Sequence, residues 1–331
     1  MKQKILSHRE RMEIALSGEK PDRIPVAFWR HFPVDDQKAE SLARATLTFQ
    51  NTFDLDLVKV SPASSFCLND WGIKTEWKGN VEGTREYINK VIFEPADWLK
   101  LPELDPNRGS LGEQLKCLQL LRNTLSSDTP FIQTIFNPLS QAKHLIEPEL
   151  LKVHIRKYPE AVMAGLNTIQ ESTLNFIRAA KKTGISGVFL AVQHANYQLL
   201  TEEEYFQFGT HFDLAILDEV KDLWLNMAHI HGSNIMFKRL SSYPVQILNW
   251  HDQETPPSLG EAQELFDGVV CGGLHTTDTL VLGTPEKVRA EIKAAIAATD
   301  SRRFILGTGC VVPINAPYGN LMAACDYLRK H

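Results

Sequence analysis

The sequence predicts an α/β fold built as a (β/α)8 barrel, and three observations carry that expectation. Eight short apolar runs recur along the chain: IPVAFW (24–29), LDLVKVS (55–61), FIQTIF (131–136), GVFLAV (187–192), WLNMAHIH (224–231), VQILNW (245–250), GVVCGGL (268–274) and FILGTG (304–309). Amphipathic helical stretches separate them. The chain has 331 residues, long for one ordinary domain and normal for eight strand–helix units closing on themselves.

Most of the runs are continuous and rich in Val, Ile, Leu and Phe, as strands covered on both faces must be. The stretch LLKVHIRKYPEAVMAGLNTIQESTLNFIRAAKKTG reads as long helices ending on a glycine C-cap. TPEKVRAEIKAAIAATD has a threonine cap, proline at the first helical position and glutamate after it, a strong helix start. Between the second and third runs, IKTEWKGNVEGTREYINKVIF alternates around Gly79-Asn80 and reads as a β-hairpin insertion capping one end of the barrel. No linker or repeat interrupts the pattern, so residues 1–331 are expected to form a single domain. An open doubly wound sheet is the alternative, and it is weakened by the lack of a GxGxxG after any strand.

Composition narrows the function. Net charge is −5 and no Lys/Arg cluster forms a basic face, which disfavours nucleic acid as a partner. No apolar stretch reaches the roughly 18 residues of a membrane span. The five cysteines are odd in number and lack CxxC spacing, pointing to a reducing cytoplasm rather than a disulfide scaffold. The start, MKQKILSHRERMEIALSG, has no apolar core of a secretory signal.

In a barrel the active site lies at the C-terminal strand ends. Those ends collect His31, His194, His229, His231, His251 and His275, six of the eleven histidines. They also present Arg30, Asn137 and Asn249, so Arg30, His31, Asn137, His194 and Asn249 are the candidates to touch a substrate. His229 and His231 are two apart on one strand and therefore share a face. With Cys310 in the glycine-flanked GTGC they make a three-ligand zinc set with one position open, the alternative being a buried histidine bonded to backbone. Cys271 reads as core or as a second thiolate. His251 in NWHD reads as a ligand, an acid/base or a donor to Asp252. Arg30, in AFWRHFP, would hold a carboxylate or phosphate bidentately, or lie over the neighbouring aromatic rings.

These residues carry a resemblance to the uroporphyrinogen decarboxylase superfamily. PDRIPVAFWRHFP resembles its N-terminal Pro-Val…Arg pattern. VQILNWHD resembles its Asp-Trp strand with Asn249 in place of the Asp, and FILGTGCVVPINAPYGNLMAACDYLRK resembles its closing segment. The likeness spans almost the whole chain and implies one TIM barrel. It departs from the true decarboxylases: Arg30 matches the first of two arginines four apart, but Val34 stands at the second. Ala63 stands at the catalytic aspartate, and LAVQHAN replaces a Phe-Asp-Ser-Trp motif. The chain is more similar to the zinc-dependent methyltransferases of the superfamily, whose ligands are H-x-C and a later Cys; here they become His229-x-His231 and Cys310. That resemblance implies zinc as cofactor and methyl transfer between a corrinoid, carried by a partner protein, and a thiol. Arg30 would anchor an acidic group and His251 would act at the metal shell, with His275 a further candidate there. A homodimer is compatible with this reading. A tetrapyrrole decarboxylase and a non-catalytic corrinoid- or tetrapyrrole-binding barrel are the competing readings.

Overall fold

Seven of the eight runs form strands in the computed structural model, which describes residues 5–330. In chain order the strands are β1 (Val58–Val60), the short β2 (Thr75–Glu76) and β3 (Glu86–Tyr87) from outside those runs, then β4 (Phe131–Phe136), β5 (Gly187–Val192), β6 (Met227–Ile230), β7 (Ile247–Trp250), β8 (Val269–Leu274) and β9 (Phe304–Thr308). β1 and β4–β9 pair in sequence order as one curled parallel sheet, with helices in the connections. Parallel neighbours need crossovers, and the helical stretches read from the sequence supply them.

The first run, 24–29, differs from expectation. It makes a single bridge, Val26 to Leu306, instead of a ladder. Pro25 has no N–H to donate, which interrupts regular pairing. The segment nevertheless bonds to both edges of the sheet: Ala27 N–H donates to Leu306 O (2.9 Å), Leu306 N–H to Pro25 O (2.8 Å), and Asp56 N–H to Val26 O (2.9 Å).

The expected hairpin around Gly79-Asn80 is also reduced. Antiparallel pairing joins only Thr75–Tyr87 and Glu76–Glu86. The turn that forms is Asn80 O to Gly83 N–H, at 2.9 Å. Gly83 has φ +77°, and a Cβ there would stand 2.7 Å from the Cβ of His31. Val81 O accepts from Ile314 N–H (2.7 Å), so this loop lies against the strand-end loops.

The strands are buried on both faces, and their side chains alternate between an inner and an outer cluster. On β5, Phe189 and Ala191 join an inner cluster with Trp29, Ile132, Met227, Ile247, Cys271 and Ile305. Val188, Leu190 and Val192 face the helices in the larger outer core. That alternation fixes which residues of every strand look into the sheet's concave interior.

At the opposite, N-terminal end of the strands, Asp56 is fully buried. It accepts from Arg11 (2.6 Å), Arg23 (2.6 Å), His8 (2.9 Å) and Val26 N–H (2.9 Å). Burial by itself would raise its pKa; the His8 hydrogen bond and the Arg23 and Arg11 charges outweigh that and hold it at about 2. A folded pKa below the unfolded value gives stability that is present above about pH 4 and lost as pH falls toward 2. Asp56→Ala leaves Arg23 without its carboxylate and Arg11 with Asp22 alone, and is expected to cost about 3–5 kcal/mol. Urea unfolding at pH 7 checks this; a loss under about 1 kcal/mol would remove Asp56 from this role.

Candidate metal centre

Strand parity places the central residues. His229 lies on β6 with its side chain in the interior, stacked on Phe189 at 5.3 Å between ring centroids. His231 follows the end of β6 on the same face. His251 follows the end of β7, and Cys310 the end of β9. Gly309 permits the last approach: a Cβ there would meet His251 Cα at 2.6 Å and Trp250 O at 2.9 Å.

Four donor atoms converge. Cys310 Sγ is 3.9 Å from His229 Nε2 and 3.9 Å from His231 Nδ1, and His231 Nδ1 is 3.3 Å from His251 Nε2. All four lie within 4.8 Å of one another. Zinc bonds to nitrogen and sulfur put tetrahedral donors roughly 3.3–3.8 Å apart, so the cluster needs little movement to close on an ion.

Tautomers fit the same reading. Asn249 is fully buried, and its amide N–H groups donate to Cys271 O (2.8 Å) and Thr308 O (2.9 Å). Its amide orientation is therefore set by two carbonyls, and Oδ1 is the atom that faces His229 Nδ1 at 2.7 Å. Nδ1 must carry the proton, which leaves the Nε2 lone pair aimed at Cys310. Glu254 does the same for His251, its carboxylate lying 3.3 Å from Nδ1. Burial, with the neighbouring histidines, holds His229 well below its ordinary pKa, and burial with His251 and Lys143 takes His231 to about 3. Neutral imidazoles are the ligand form. Burial pushes the metal-free Cys310 thiol up to about 11.

Two of the expected substrate contacts have their partners within the protein. Asn249, read as a substrate contact, is instead spent inside the sheet behind His229. Asn137 is also fully buried. It caps the helix Pro138–Leu145 by accepting Ser140 N–H at 2.9 Å, and it donates to Asp213 at 2.7 Å. The Asn137-Pro138 pair carries the sequence signal of a cap followed by proline at the first helical position.

Arg30 is half-buried, with its guanidinium 5.5 Å from the Phe32 ring centre and no carboxylate partner among the described residues. His31 and His194 are buried, each with Nδ1 lacking a hydrogen-bond partner. Burial brings both to about 3, with the Lys59 charge adding to it at His31 and Lys143 at His194. Cys271 is fully buried in the inner core, outside the cluster. His275 is outside it too, capping the next turn through Asp278 N–H and standing 3.8 Å from Glu254.

The sequence reading passed over Lys59. It sits on β1 at 7% exposure, pointing inward between the outward Val58 and Val60. Its signal was present: one lysine inside the apolar run LDLVKVS, in phase with the inward Leu57.

A curled parallel α/β sheet thus carries, at its strand ends, a His/Cys cluster that could hold a metal ion. The chain belongs to the uroporphyrinogen decarboxylase (URO-D) family, whose pattern matches residues 7–331. It is similar to the methylcobamide:CoM methyltransferases MtbA of Methanosarcina acetivorans and Methanosarcina mazei, 23% identical to each, with 98% of this chain and 98% of each relative covered. Among solved structures it is similar to a methyltransferase from Methanosarcina mazei, with a TM-score of 0.85, 18% identity, and 98% and 99% of the two chains covered. A B12-independent methionine synthase from a Shewanella species has a TM-score of 0.56 at 14% identity, covering 94% of this chain and 95% of the other. Among the described residues no helix is long and apolar enough to cross a membrane.

The Asn249 contact generates a prediction. Asn249→Leu removes the hydrogen bond that fixes the His229 tautomer and is expected to weaken zinc binding about 10–100-fold. Competition against a chromophoric chelator measures it; unchanged affinity would mean that His229 is not a ligand.

Proposed function

We propose that this protein is a single-domain (β/α)8 enzyme, with segment 24–29 as its eighth stave, that transfers a methyl group between a corrinoid and a thiol at a zinc site. The observation that carries the reading is the convergence of His229, His231, His251 and Cys310 at the strand ends, in a family whose similar members include methylcobamide:CoM methyltransferases. His229, His231 and Cys310 are the protein ligands, with His251 beside them. The corrinoid is delivered by a partner protein.

Bound zinc supplies one thing: it draws down a thiol's pKa, so that the nucleophilic thiolate exists at neutral pH. The chain's residues do the rest. Asn249 holds His229 in its ligating orientation, and Glu254 orients His251 beside the ligands. Arg30, with no carboxylate partner among the described residues, binds an anionic tail of the acceptor or a polar edge of the corrinoid. His31 and His194, neutral at the strand ends and each with a buried, unpartnered Nδ1, are the further candidates to bond a substrate. His231 standing where the related enzymes have Cys leaves one thiolate in place of two. The site is then more electrophilic, favouring thiol ionisation at some expense of thiolate reactivity.

Purified protein without a histidine tag is expected to bind about one equivalent of zinc and to demethylate methylcobalamin in the presence of a thiol. The absorbance change of the corrinoid reads the reaction. Cys310→Ala should lose more than about 90% of both metal and activity, as removal of one of so few ligands demands. Metal content below about a tenth of an equivalent after zinc supplementation would overturn the site. Conversion of uroporphyrinogen to coproporphyrinogen without metal would overturn the reaction.

A further inference from the structure

We propose that Thr308 is a positioning residue of the metal centre: it fixes the turn that presents Cys310 and ties that turn to the group that orients His229. This rests on the zinc reading above. Thr308 is the last residue of β9 and is fully buried. Its hydroxyl donates to the Cys310 carbonyl. Its own carbonyl accepts from Asn249 Nδ2 at 2.9 Å, and Asn249 Oδ1 stands 2.7 Å from His229 Nδ1. The two oxygens of one residue thus reach one ligand through its backbone and a second through a single intervening side chain.

The local chain shows why the hydroxyl is needed. Parallel pairing of β9 with β8 ends at Thr308, opposite Leu274. Cys310 lies beyond the ladder, and no strand supplies a donor to its carbonyl. Among the described residues the Thr308 hydroxyl is the donor that carbonyl has. A backbone carbonyl left unpaired beside a buried site is costly, and the turn would rotate to find another partner. On the far side the chain is anchored again where Val312 N–H donates to Trp29 O at 2.8 Å. Cys310 is therefore held between two fixed points, and its Sγ stands 3.9 Å from both His229 Nε2 and His231 Nδ1.

Thr308 acts through Cys310 and does not meet the metal position. It lies outside the ligand cluster, and along β9 it has the parity of Phe304 and Leu306, which belong to the outer core. A substitution there removes no ligand and no atom that faces a substrate. Thr308→Val keeps the branched shape and the stiff first torsion of the side chain. It also keeps the backbone carbonyl and hence the bond to Asn249. Only the hydroxyl is lost, so the sulfur ligand is loosened while the His229 tautomer stays fixed. Asn249→Leu does the reverse.

Cobalt(II) reports the sulfur ligand directly, through a thiolate-to-metal charge-transfer band. It is titrated into metal-free wild-type protein, Thr308→Val and Thr308→Ser, all as the full chain. Thr308→Val is expected to bind cobalt about tenfold more weakly, with a diminished band, while Thr308→Ser stays within about twofold of wild type because it keeps the hydroxyl. Urea unfolding of the metal-free proteins separates positioning from packing. A Thr308→Val protein that loses stability yet keeps the wild-type affinity and band overturns the proposal. Equal weakening in Thr308→Val and Thr308→Ser also overturns it, since shape and not the hydroxyl would then matter. Thr308→Ala replaces Thr308→Val under the same criteria if the valine variant does not fold. A normal wild-type band with unaltered variants removes Thr308 and leaves the zinc reading standing. No charge-transfer band in the wild type overturns the zinc reading, and the Thr308 role with it.

Discussion

Polar groups placed inside a curled sheet must find their partners there, because water does not reach them. Asn249 shows what this constraint organises. Its amide spans from β7 to the carbonyls of β8 and β9 and leaves one acceptor facing β6. One side chain thus ties four strand ends together and sets the tautomer of His229. Without that orientation His229 has no reason to present Nε2 to Cys310, and the cluster loses its geometric order. The same requirement is met at the other end of the strands by Asp56, which satisfies two arginines and the backbone of the segment that lies between β9 and β1.

The two ends of the sheet therefore differ in kind. At the Asp56 end, charges are paired and every strong donor has an acceptor, as stability requires. At the other end the pairing among the described residues is left incomplete: Arg30 has no acid, His31 and His194 keep an unpartnered nitrogen, and Lys59 has a single hydrogen bond. Unsatisfied buried groups cost free energy, and a fold tolerates them where a ligand completes them. His31 and His194 share the strand-end side of the sheet with the His/Cys cluster, though single unpartnered atoms also occur elsewhere, as at Gln50 and Thr210.

Much of this was legible in the sequence. Seven of the strands announced themselves as apolar runs, and the i, i+2 spacing of His229 and His231 already put both rings on one face. Cys310 was recognisable from its glycine-flanked position at a strand end. Other features were not. Pro25 reduced the first run to a single bridge, an effect of one missing donor that hydrophobicity does not register. The hairpin alternation around Gly79-Asn80 was real as a pattern, but the loop packs against His31 and Ile314 and little pairing forms. Asn137 and Asn249 looked like rim residues because an asparagine at a strand end reads the same whether it meets a ligand, a helix end or a histidine.

Local pattern alone established the α/β class, the order of the strands, their inward faces and three members of the cluster, because alternation and burial act on neighbours within a run. Which strand ends stand beside one another was settled by the curling of the sheet. That curling brought His251 to 3.3 Å from His231 and Cys310 to 3.9 Å from each of His229 and His231, contacts between residues far apart in the chain. It also left Lys59 in the interior with no carboxylate partner among the described residues. A lysine's partners, unlike its parity, depend on every strand that faces it, and no run of sequence contains that information.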